Sequence, residues 1–216
     1  MPEIRKDPVF GRWVIIASER GLRPNDFRTG VPKSAGNCPF CPGHEGETPP
    51  AVYTVYEKSA KGKKRAGKDW RLRVVRNKYP ALVGLGTAAA AVDGIYDHMN
   101  GIGSHEVVIE TPCHDLHLED LSIGEIADVF KTFVLRAREM KKDPRIKYVM
   151  IFKNFGRNAG ASLSHPHSQL IAMSLAPIRV AQEIEGAAAY MKKSGACVFC
   201  DILSQERRRG TRVVGE

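Results

Sequence analysis

Apolar and polar residues alternate over several short runs of the chain, and a period of two predicts β-strands. In Trp70–Arg76 apolar and basic residues alternate, which predicts a strand with one face buried. Residues 19–50 and 84–101 are rich in turn-forming or small residues and predict loops, the second of them mobile. The predicted strands are Trp13–Ser18, Val52–Tyr56, Trp70–Arg76, His105–Thr111, Tyr148–Lys153 and Leu170–Leu175.

One segment, from Ser122 to about Lys142, has the spacing of an amphipathic helix. Ser122 and Glu125 fit a capping box, Leu121 and Ile126 are placed as its hydrophobic staple, and Asp143-Pro144 follows the helix. The apolar residues predicted to share one face are Ile126, Val129, Phe130, Phe133, Val134, Ala137 and Met140. A second helix is predicted at about Val180–Lys192, after Pro177.

Strands therefore outnumber helices, and a strand, a loop and a strand separate the two helices. This order predicts an α+β fold with a mostly antiparallel sheet and two main helices packed on it. The loop Asn154–Gln169, rich in Gly, Ser, Asn and His, would be held by the strands on either side. A rigidly held loop of this composition is a good place for a functional site.

The chain is basic: it has 216 residues and a formal net charge of +9. This charge favours anionic partners such as phosphates and nucleotides. The run Lys58–Lys68 holds six cations without an acid, and we expect a solvated loop there. Nucleic-acid binding is not expected, because the run lacks interleaved aromatic residues and a recognition helix. No long apolar segment or signal peptide is visible, so we expect a cytoplasmic protein and no membrane contact.

Four of the five cysteines form two CxxC pairs, Cys38/Cys41 and Cys197/Cys200. In a reducing compartment this spacing indicates metal or redox chemistry. Pro39 lies inside the first pair, which favours a knuckle presenting two thiolates to one ion. Zinc commonly takes two cysteines and two histidines. Composition does not choose among the candidate histidines His44, His98, His105, His114, His117, His165 and His167.

The segment His165-Pro166-His167 is the strongest catalytic candidate. Proline biases the preceding residue toward extended geometry, and one histidine could bind a metal while the other faces a substrate. The preceding stretch Gly156–Ser162 has small residues that let backbone N–H groups approach a phosphate, and Ser162 adds a hydroxyl. It is not a Walker A sequence, so taken alone it is a weak signal.

At these residues the sequence resembles the galactose-1-phosphate uridylyltransferase family of the histidine-triad superfamily. The His-Pro-His-x-Gln segment carries most of the resemblance, and its order relative to the other matches makes it specific. The matching stretches are Asp7-Pro8, Trp13-Val14, Arg23-Pro24, Cys38–Gly43, Arg76–Leu82, His105–Val107, Asn154, Gly160, Ser162 and His165–Gln169.

The resemblance implies a structural zinc and a catalytic histidine. The implied nucleophile is His167, and Gln169 is the second implied catalytic residue. The implied zinc ligands are Cys38, Cys41, His114 and His165. The implied substrate-binding residues are Arg20, Arg23, Asn77, Asn154, Gly160, Ala161, Ser162 and Gln169.

The resemblance also implies a ping-pong nucleotidyltransferase of galactose metabolism. His167 would displace hexose 1-phosphate from a UDP-sugar, become uridylylated, and pass the UMP group to a second hexose 1-phosphate. Histidine-triad hydrolases carry a third histidine where this chain has Gln169, which favours transfer over hydrolysis. Ser168 stands where many uridylyltransferases have glycine, and Lys78 replaces an acidic residue of some members. The alternatives are therefore an ADP-glucose phosphorylase or nucleotide hydrolase, and a zinc-stabilised nucleotide-binding fragment without turnover.

Family members contain two similar halves and commonly form homodimers with shared sites. Cys197–Ile202 echoes the first CxxC segment and is similar to the start of the second half, which in some relatives holds a second zinc. We therefore predict a catalytic domain over residues 1–195 and the start of a second, truncated unit over 196–216. Cys197 and Cys200 would be a second metal half-site.

Overall fold

The computed structural model describes residues 1–23, 38–57, 70–84, 86–87, 89–156 and 158–215. The chain forms two compact units, Met1–Leu175 and Ala176–Glu216. The basic run Lys58–Lys68 and part of the predicted loop 19–50 lie outside the described residues. None of the described helices combines the length and apolar character needed to cross a membrane.

The first unit is built on a five-stranded antiparallel sheet, which confirms the predicted α+β class. Its spatial order is β3-β4-β7-β9-β8, so β7 lies at the centre with β9 beside it. The strands are β3 (Ala51–Tyr56), β4 (Trp70–Arg76), β7 (Gly103–Ile109), β8 (Tyr148–Phe152) and β9 (His167–Met173).

A second antiparallel sheet has the order β2-β1-β6-β5. Two of its strands form a hairpin in the segment 84–101, where the sequence predicted a mobile loop; that prediction is wrong. Gly94, at a φ of +61°, lies in the hairpin turn, and β6 is paired on both sides. Pairing thus overrides weak strand propensity. The strands are β1 (Glu3–Lys6), β2 (Trp13–Ile16), β5 (Ala90–Asp93) and β6 (Tyr96–Asn100).

Helix α1 (Ile123–Met140) packs on one face of the five-stranded sheet. Its predicted capping box is confirmed, because Ser122 and Glu125 exchange side-chain and backbone hydrogen bonds. Val129 and Met140 are buried against sheet residues, whereas Phe130 and Val134 are exposed, so the predicted apolar face is rotated in the structure. The apolar contacts between α1 and the sheet, each stabilising by up to a few kcal/mol, hold the helix against the sheet.

Two of the predicted strands differ from expectation in ways that matter for the site. Strand β4 is buried on both faces, because Arg73 donates to Thr48 and its guanidinium lies 5.3 Å from the ring centre of Trp70. Strand β9 begins at His167, three residues before the predicted start at Leu170. His167 and Gln169 are therefore fixed in a paired strand rather than in a loop.

The second unit contains two helices, α2 (Ile178–Ser194) and α3 (Val198–Arg209). The first confirms the predicted helix, and Gly195 ends it at a φ of +71°, which favours glycine. The second was not predicted, although Cys197 and Cys200 lie at its start. The predicted division after residue 195 stays a prediction, since it concerns internal similarity rather than packing.

Candidate active site

The first CxxC pair and two histidines form one cluster of metal-ligating atoms. The Sγ atoms of Cys38 and Cys41 and a ring nitrogen of each of His114 and His165 lie within 4.8 Å of one another. Cys41 Sγ lies 3.4 Å from His114 Nδ1 and 3.6 Å from His165 Nδ1, and Cys38 Sγ lies 3.7 Å from the same His165 nitrogen. Four ligands around zinc would be separated by about 3.5 Å, so the cluster fits a tetrahedral ion.

The surroundings of the cluster also fit a metal. Burial, with the neighbouring Cys38, raises the pKa of the Cys41 thiol to about 12, so this thiol becomes a ligand only when a cation displaces its proton. The outer nitrogens of the two rings are engaged: His165 Nε2 lies 2.9 Å from the carbonyl of Thr111, and His114 Nε2 lies 3.0 Å from Ser164 Oγ. Such partners orient a ligating imidazole.

His167 is oriented by a hydrogen bond to His165, whose ring is part of the metal-ligating cluster. Its Nδ1 lies 2.8 Å from the carbonyl oxygen of His165. A carbonyl only accepts, so Nδ1 carries the proton and Nε2 keeps its lone pair. Burial lowers the pKa of His167, which keeps the ring neutral near pH 7. A neutral imidazole with a fixed free nitrogen is a competent nucleophile.

His167 lines a cavity of about 310 Å³ on the face of the sheet that faces away from α1. Among the described residues, the cationic groups of its lining outnumber the single carboxylate, that of Glu47. Because such a wall attracts polyanions, the cavity is suited to a diphosphate. The cationic lining residues are Arg20, Arg23, Arg76 and Lys78.

The cavity brings together most of the residues that the sequence analysis singled out for substrate binding. Arg20 reaches it from a 3₁₀ turn at Ser18–Leu22, and its Nη1 donates to the carbonyl of Tyr79 at 2.7 Å. Burial and the neighbouring Arg23 lower the pKa of Arg20. The predicted residues in the lining are Arg20, Arg23, Asn77, Gly160, Ala161, Ser162, His167 and Gln169.

The candidate phosphate-binding loop forms a hydrogen bond within itself, which engages one of its backbone amides. Gly160 has a φ of +74°, a conformation that favours glycine. The N–H of Ala161 donates to the carbonyl of Gly156 at 3.2 Å, so that amide is already engaged. Asn154, half-buried after β8, is not among the described residues that line the cavity. Arg157 of this loop lies outside the described residues.

The second CxxC pair has a different setting. Cys197 precedes α3 and Cys200 is exposed in its first turn. Within the described part of the chain, the only group of three or more metal-ligating side chains is the one at Cys38, and it does not include this pair. The prediction of a second half-site stays a prediction.

A buried polar group behind His167 was missed by the sequence analysis. Ser168 Oγ donates to the carboxylate of Glu110 at 2.5 Å, and Lys153 Nζ forms an ion pair with the same carboxylate. Ser168 therefore points to the opposite face from its neighbours His167 and Gln169, as alternation along a strand requires. Period-two counting from His167 would have revealed this. The side chain of Ser168 thus faces Glu110 rather than the cavity.

Comparison with known proteins gives one family for most of the chain. Residues 1–177 match the family model described as galactose-1-phosphate uridyl transferase, N-terminal domain. ADP-glucose phosphorylase from Arabidopsis thaliana is 36% identical over 210 residues, which cover 94% of this chain and 58% of that protein. Galactose-1-phosphate uridylyltransferase from Thermotoga maritima is 28% identical over 207 residues, which cover 95% of this chain and 57% of that protein.

A solved structure agrees with the sequence matches. The crystal structure of an ADP-glucose phosphorylase from Arabidopsis thaliana with bound ADP-glucose has a TM-score of 0.65 and 35% identity to this chain. The match covers 94% of this chain and 59% of that one. The chain thus spans between 57% and 59% of the length of these relatives.

Proposed function

The chain belongs to the galactose-1-phosphate uridyl transferase family, and on this premise we propose that it transfers a nucleoside monophosphate group from a nucleoside diphosphate sugar by way of His167. The observation that carries the proposal is the hydrogen bond from His167 Nδ1 to the carbonyl of His165. It directs the lone pair of Nε2 away from that carbonyl, on a residue that lines a cationic cavity.

The transfer takes place in two balanced steps. Nε2 of His167 attacks the α-phosphorus, the bond from this phosphorus to the bridging oxygen breaks, and sugar 1-phosphate leaves with the electron pair. The phosphorylated ring keeps its Nδ1 proton, and the His165 carbonyl stabilises the resulting positive charge. A phosphate oxygen of an acceptor then attacks the same phosphorus, and the P–N bond breaks to restore neutral His167.

Zinc would bind at Cys38, Cys41, His114 and His165, where it would supply a rigid cross-link between the knuckle and the segment that carries His167. Side chains of the protein, rather than the zinc, would contact the reacting groups of the substrate. The cations Arg20 and Arg23 would hold the diphosphate and offset its charge. The side-chain amide of Gln169 does not ionise near neutral pH and cannot act as a general acid or base, which favours transfer to an acceptor over attack by water.

Two substrate assignments compete, and they differ in base and acceptor. A uridylyl group passed to a hexose 1-phosphate agrees with the family name and with the Thermotoga relative. Phosphorolysis of ADP-glucose is favoured by the higher identity to ADP-glucose phosphorylase, 36% against 28%. The side chain of Ser168, buried against Glu110, does not separate the two, because it is directed away from the cavity.

Intact-mass measurement after incubation with UDP-glucose or ADP-glucose tests both assignments. We expect a mass gain of one UMP or one AMP group, lost in His167→Ala and retained in His98→Ala, a histidine of β6 that does not line the cavity. Adding galactose 1-phosphate or inorganic phosphate to the labelled protein identifies the acceptor by loss of the label. If both nucleotide sugars bind and neither labels the protein, the chain is a nucleotide-binding fragment and the proposal is wrong.

A further inference from the structure

His105 lies behind the cavity, where it contacts two residues that line it, Asn77 and Gln169. It lies on β7, is 3% exposed, and lies on the same sheet face as Val107, which pairs with Gln169 of β9. Residues diagonal to each other across an antiparallel pair are within reach of long side chains. His105 Nε2 accordingly lies 2.9 Å from Gln169 Oε1. In the sequence His105 is one of seven candidate zinc ligands and lies in a stretch that resembles the family, and the structure places it outside the metal cluster.

The neighbours of His105 determine which ring nitrogen carries the proton. The backbone N–H of Ala81 donates to Nδ1 at 3.0 Å, and Arg20 Nη1, which only donates, lies 3.4 Å from the same nitrogen. Nδ1 must therefore be unprotonated, and a neutral ring carries its proton on Nε2. Burial, with Arg20 and Arg23 nearby, lowers the pKa of His105 to about 4, so the ring is neutral near pH 7.

This tautomer fixes the orientation of a side-chain amide in the cavity. Nε2–H donates to Gln169 Oε1, so the oxygen of Gln169 is turned toward β7 and its NH₂ group is the part left for a ligand. Asn77 lies beside this pair: its Oδ1 accepts the N–H of Tyr79 at 2.9 Å, and its Nδ2 lies 3.2 Å from His105 Nε2. Gln169 thus offers donors, which a phosphoryl group requires, and withholds the oxygen that would repel it.

We propose that His105 is a positioning residue for nucleotidyl transfer, which holds Gln169 in the one amide orientation that donates to the phosphoryl group attacked by His167. The inference rests on the proposed function. Without the ring, the amide of Gln169 could rotate by 180° and present its oxygen to the anion. The contribution of His105 is therefore made through Gln169 and is expected in the chemical step more than in binding.

Two substitutions at position 105 distinguish the role of the Nε2–H donor from the role of side-chain volume. His105→Leu removes the donor, whereas His105→Gln retains an NH₂ group that can reach the place of Nε2. We expect His105→Leu to slow single-turnover labelling of His167 about 100-fold, as when one donor to a developing oxyanion is removed. The Kd of the nucleotide sugar should change less than about threefold, and His105→Gln should recover the rate to within about tenfold of the unaltered protein. Equal rates in all three proteins would overturn the proposal.

A double-mutant cycle tests whether His105 acts through Gln169. In a Gln169→Ala background, His105→Leu should slow labelling less than about threefold further, because the amide that it orients is gone. If the two losses instead multiply, His105 has a separate structural role and the inference is wrong. Thermal unfolding and zinc content of each variant report whether the fold and the metal cluster are intact.

The tautomer can be measured without any turnover. Long-range proton–nitrogen correlations of ¹⁵N-labelled protein at pH 7 should show His105 protonated on Nε2 and bare on Nδ1, and the opposite pattern would overturn the inference. If no nucleotide sugar labels His167 while this tautomer is observed, the proposed function fails but the assigned contacts hold. If labelling occurs and the tautomer is Nδ1–H, only the inference about His105 fails.

Discussion

The two CxxC pairs have the same spacing and opposite surroundings. Cys38 and Cys41 are buried and share their neighbourhood with two histidines whose outer nitrogens are engaged by Thr111 and Ser164. Cys197 is half-buried and Cys200 exposed at the start of α3. Spacing alone therefore identifies a pair that can approach an ion, whereas a metal centre requires further ligands held in place from distant parts of the chain.

The electrostatics of the pairs differ in the same way. Burial raises the pKa of Cys41, whereas backbone N–H groups of Cys200 and Phe199 lower the pKa of Cys197. Cys41 is therefore unreactive unless a cation displaces its proton, whereas Cys197 resembles a surface thiol at a helix N-terminus, where the thiolate is favoured. Each difference can be tested by making the same change in both pairs.

Replacing one thiol in each pair should give the largest contrast. Cys38→Ser should abolish zinc binding and destabilise the first unit by at least about 5 kcal/mol, because a structural zinc contributes about 10–16 kcal/mol in small zinc domains. This corresponds to a fall in the unfolding midpoint of about 10 °C or more. Cys200→Ser, the matched control, should change stability by less than about 0.5 kcal/mol.

Zinc content by atomic absorption and thermal unfolding by circular dichroism measure both variants. Unchanged zinc content in Cys38→Ser would refute the cluster as the metal site. An equal loss of zinc in Cys200→Ser would erase the contrast between the two pairs.

Alkylation of the folded, metal-free protein should distinguish the pairs kinetically. A pKa raised from 9.0 to about 12 lowers the thiolate fraction of Cys41 near neutral pH about 1000-fold. Mass spectrometry of peptides after brief treatment with iodoacetamide should show Cys197 modified at least about 100-fold faster than Cys41. Exposed Cys113 provides an internal reference, and denatured protein should lose the difference. Similar native rates for the two peptides would contradict the assigned environments.

The smallest expected effect concerns the partner of a metal-binding ring. Ser164→Ala removes the hydroxyl 3.0 Å from His114 Nε2 and should weaken zinc affinity about 10-fold, measured by chelator competition. Ser194→Ala, whose hydroxyl donates to the carbonyl of Tyr190 close to the second pair, is the matched control and should leave that affinity unchanged. Equal affinities for both variants would mean that Ser164 does not orient His114.

Part of the fold can be predicted from local sequence patterns, and part cannot. The α+β class, α1 with its cap at Ser122, and most strands follow from local periodicity, which short-range sterics and burial impose. The β5–β6 hairpin and the second buried face of β4 do not, because both depend on partners far along the chain. The exposed Phe130 and Val134 show the same limit, since which apolar residues of a helix are buried depends on where it docks.

In the candidate site, too, some features can be predicted from the sequence and others depend on the fold. The histidine pair, the first CxxC and the arginines can be recognised as chemical types, and the family resemblance proposes their roles. Composition does not select His114 over His105 as a ligand, because the choice depends on how the sheet turns each side chain. The register of Val107 opposite Gln169 and the N–H of Ala81 give His105 its environment, and neither is visible in the sequence.

His165 serves two neighbours with two different parts of one residue. Its ring belongs to the cluster of metal-ligating side chains, and its carbonyl accepts a hydrogen bond from Nδ1 of His167. Fixing the ring of His165 also restricts the position of its carbonyl group. Metal binding and the orientation of His167 are therefore energetically coupled, and such coupling is reciprocal. An ion that favours one rotamer of residue 165 favours the hydrogen-bonded orientation of residue 167, and that orientation favours, in return, the binding of the ion.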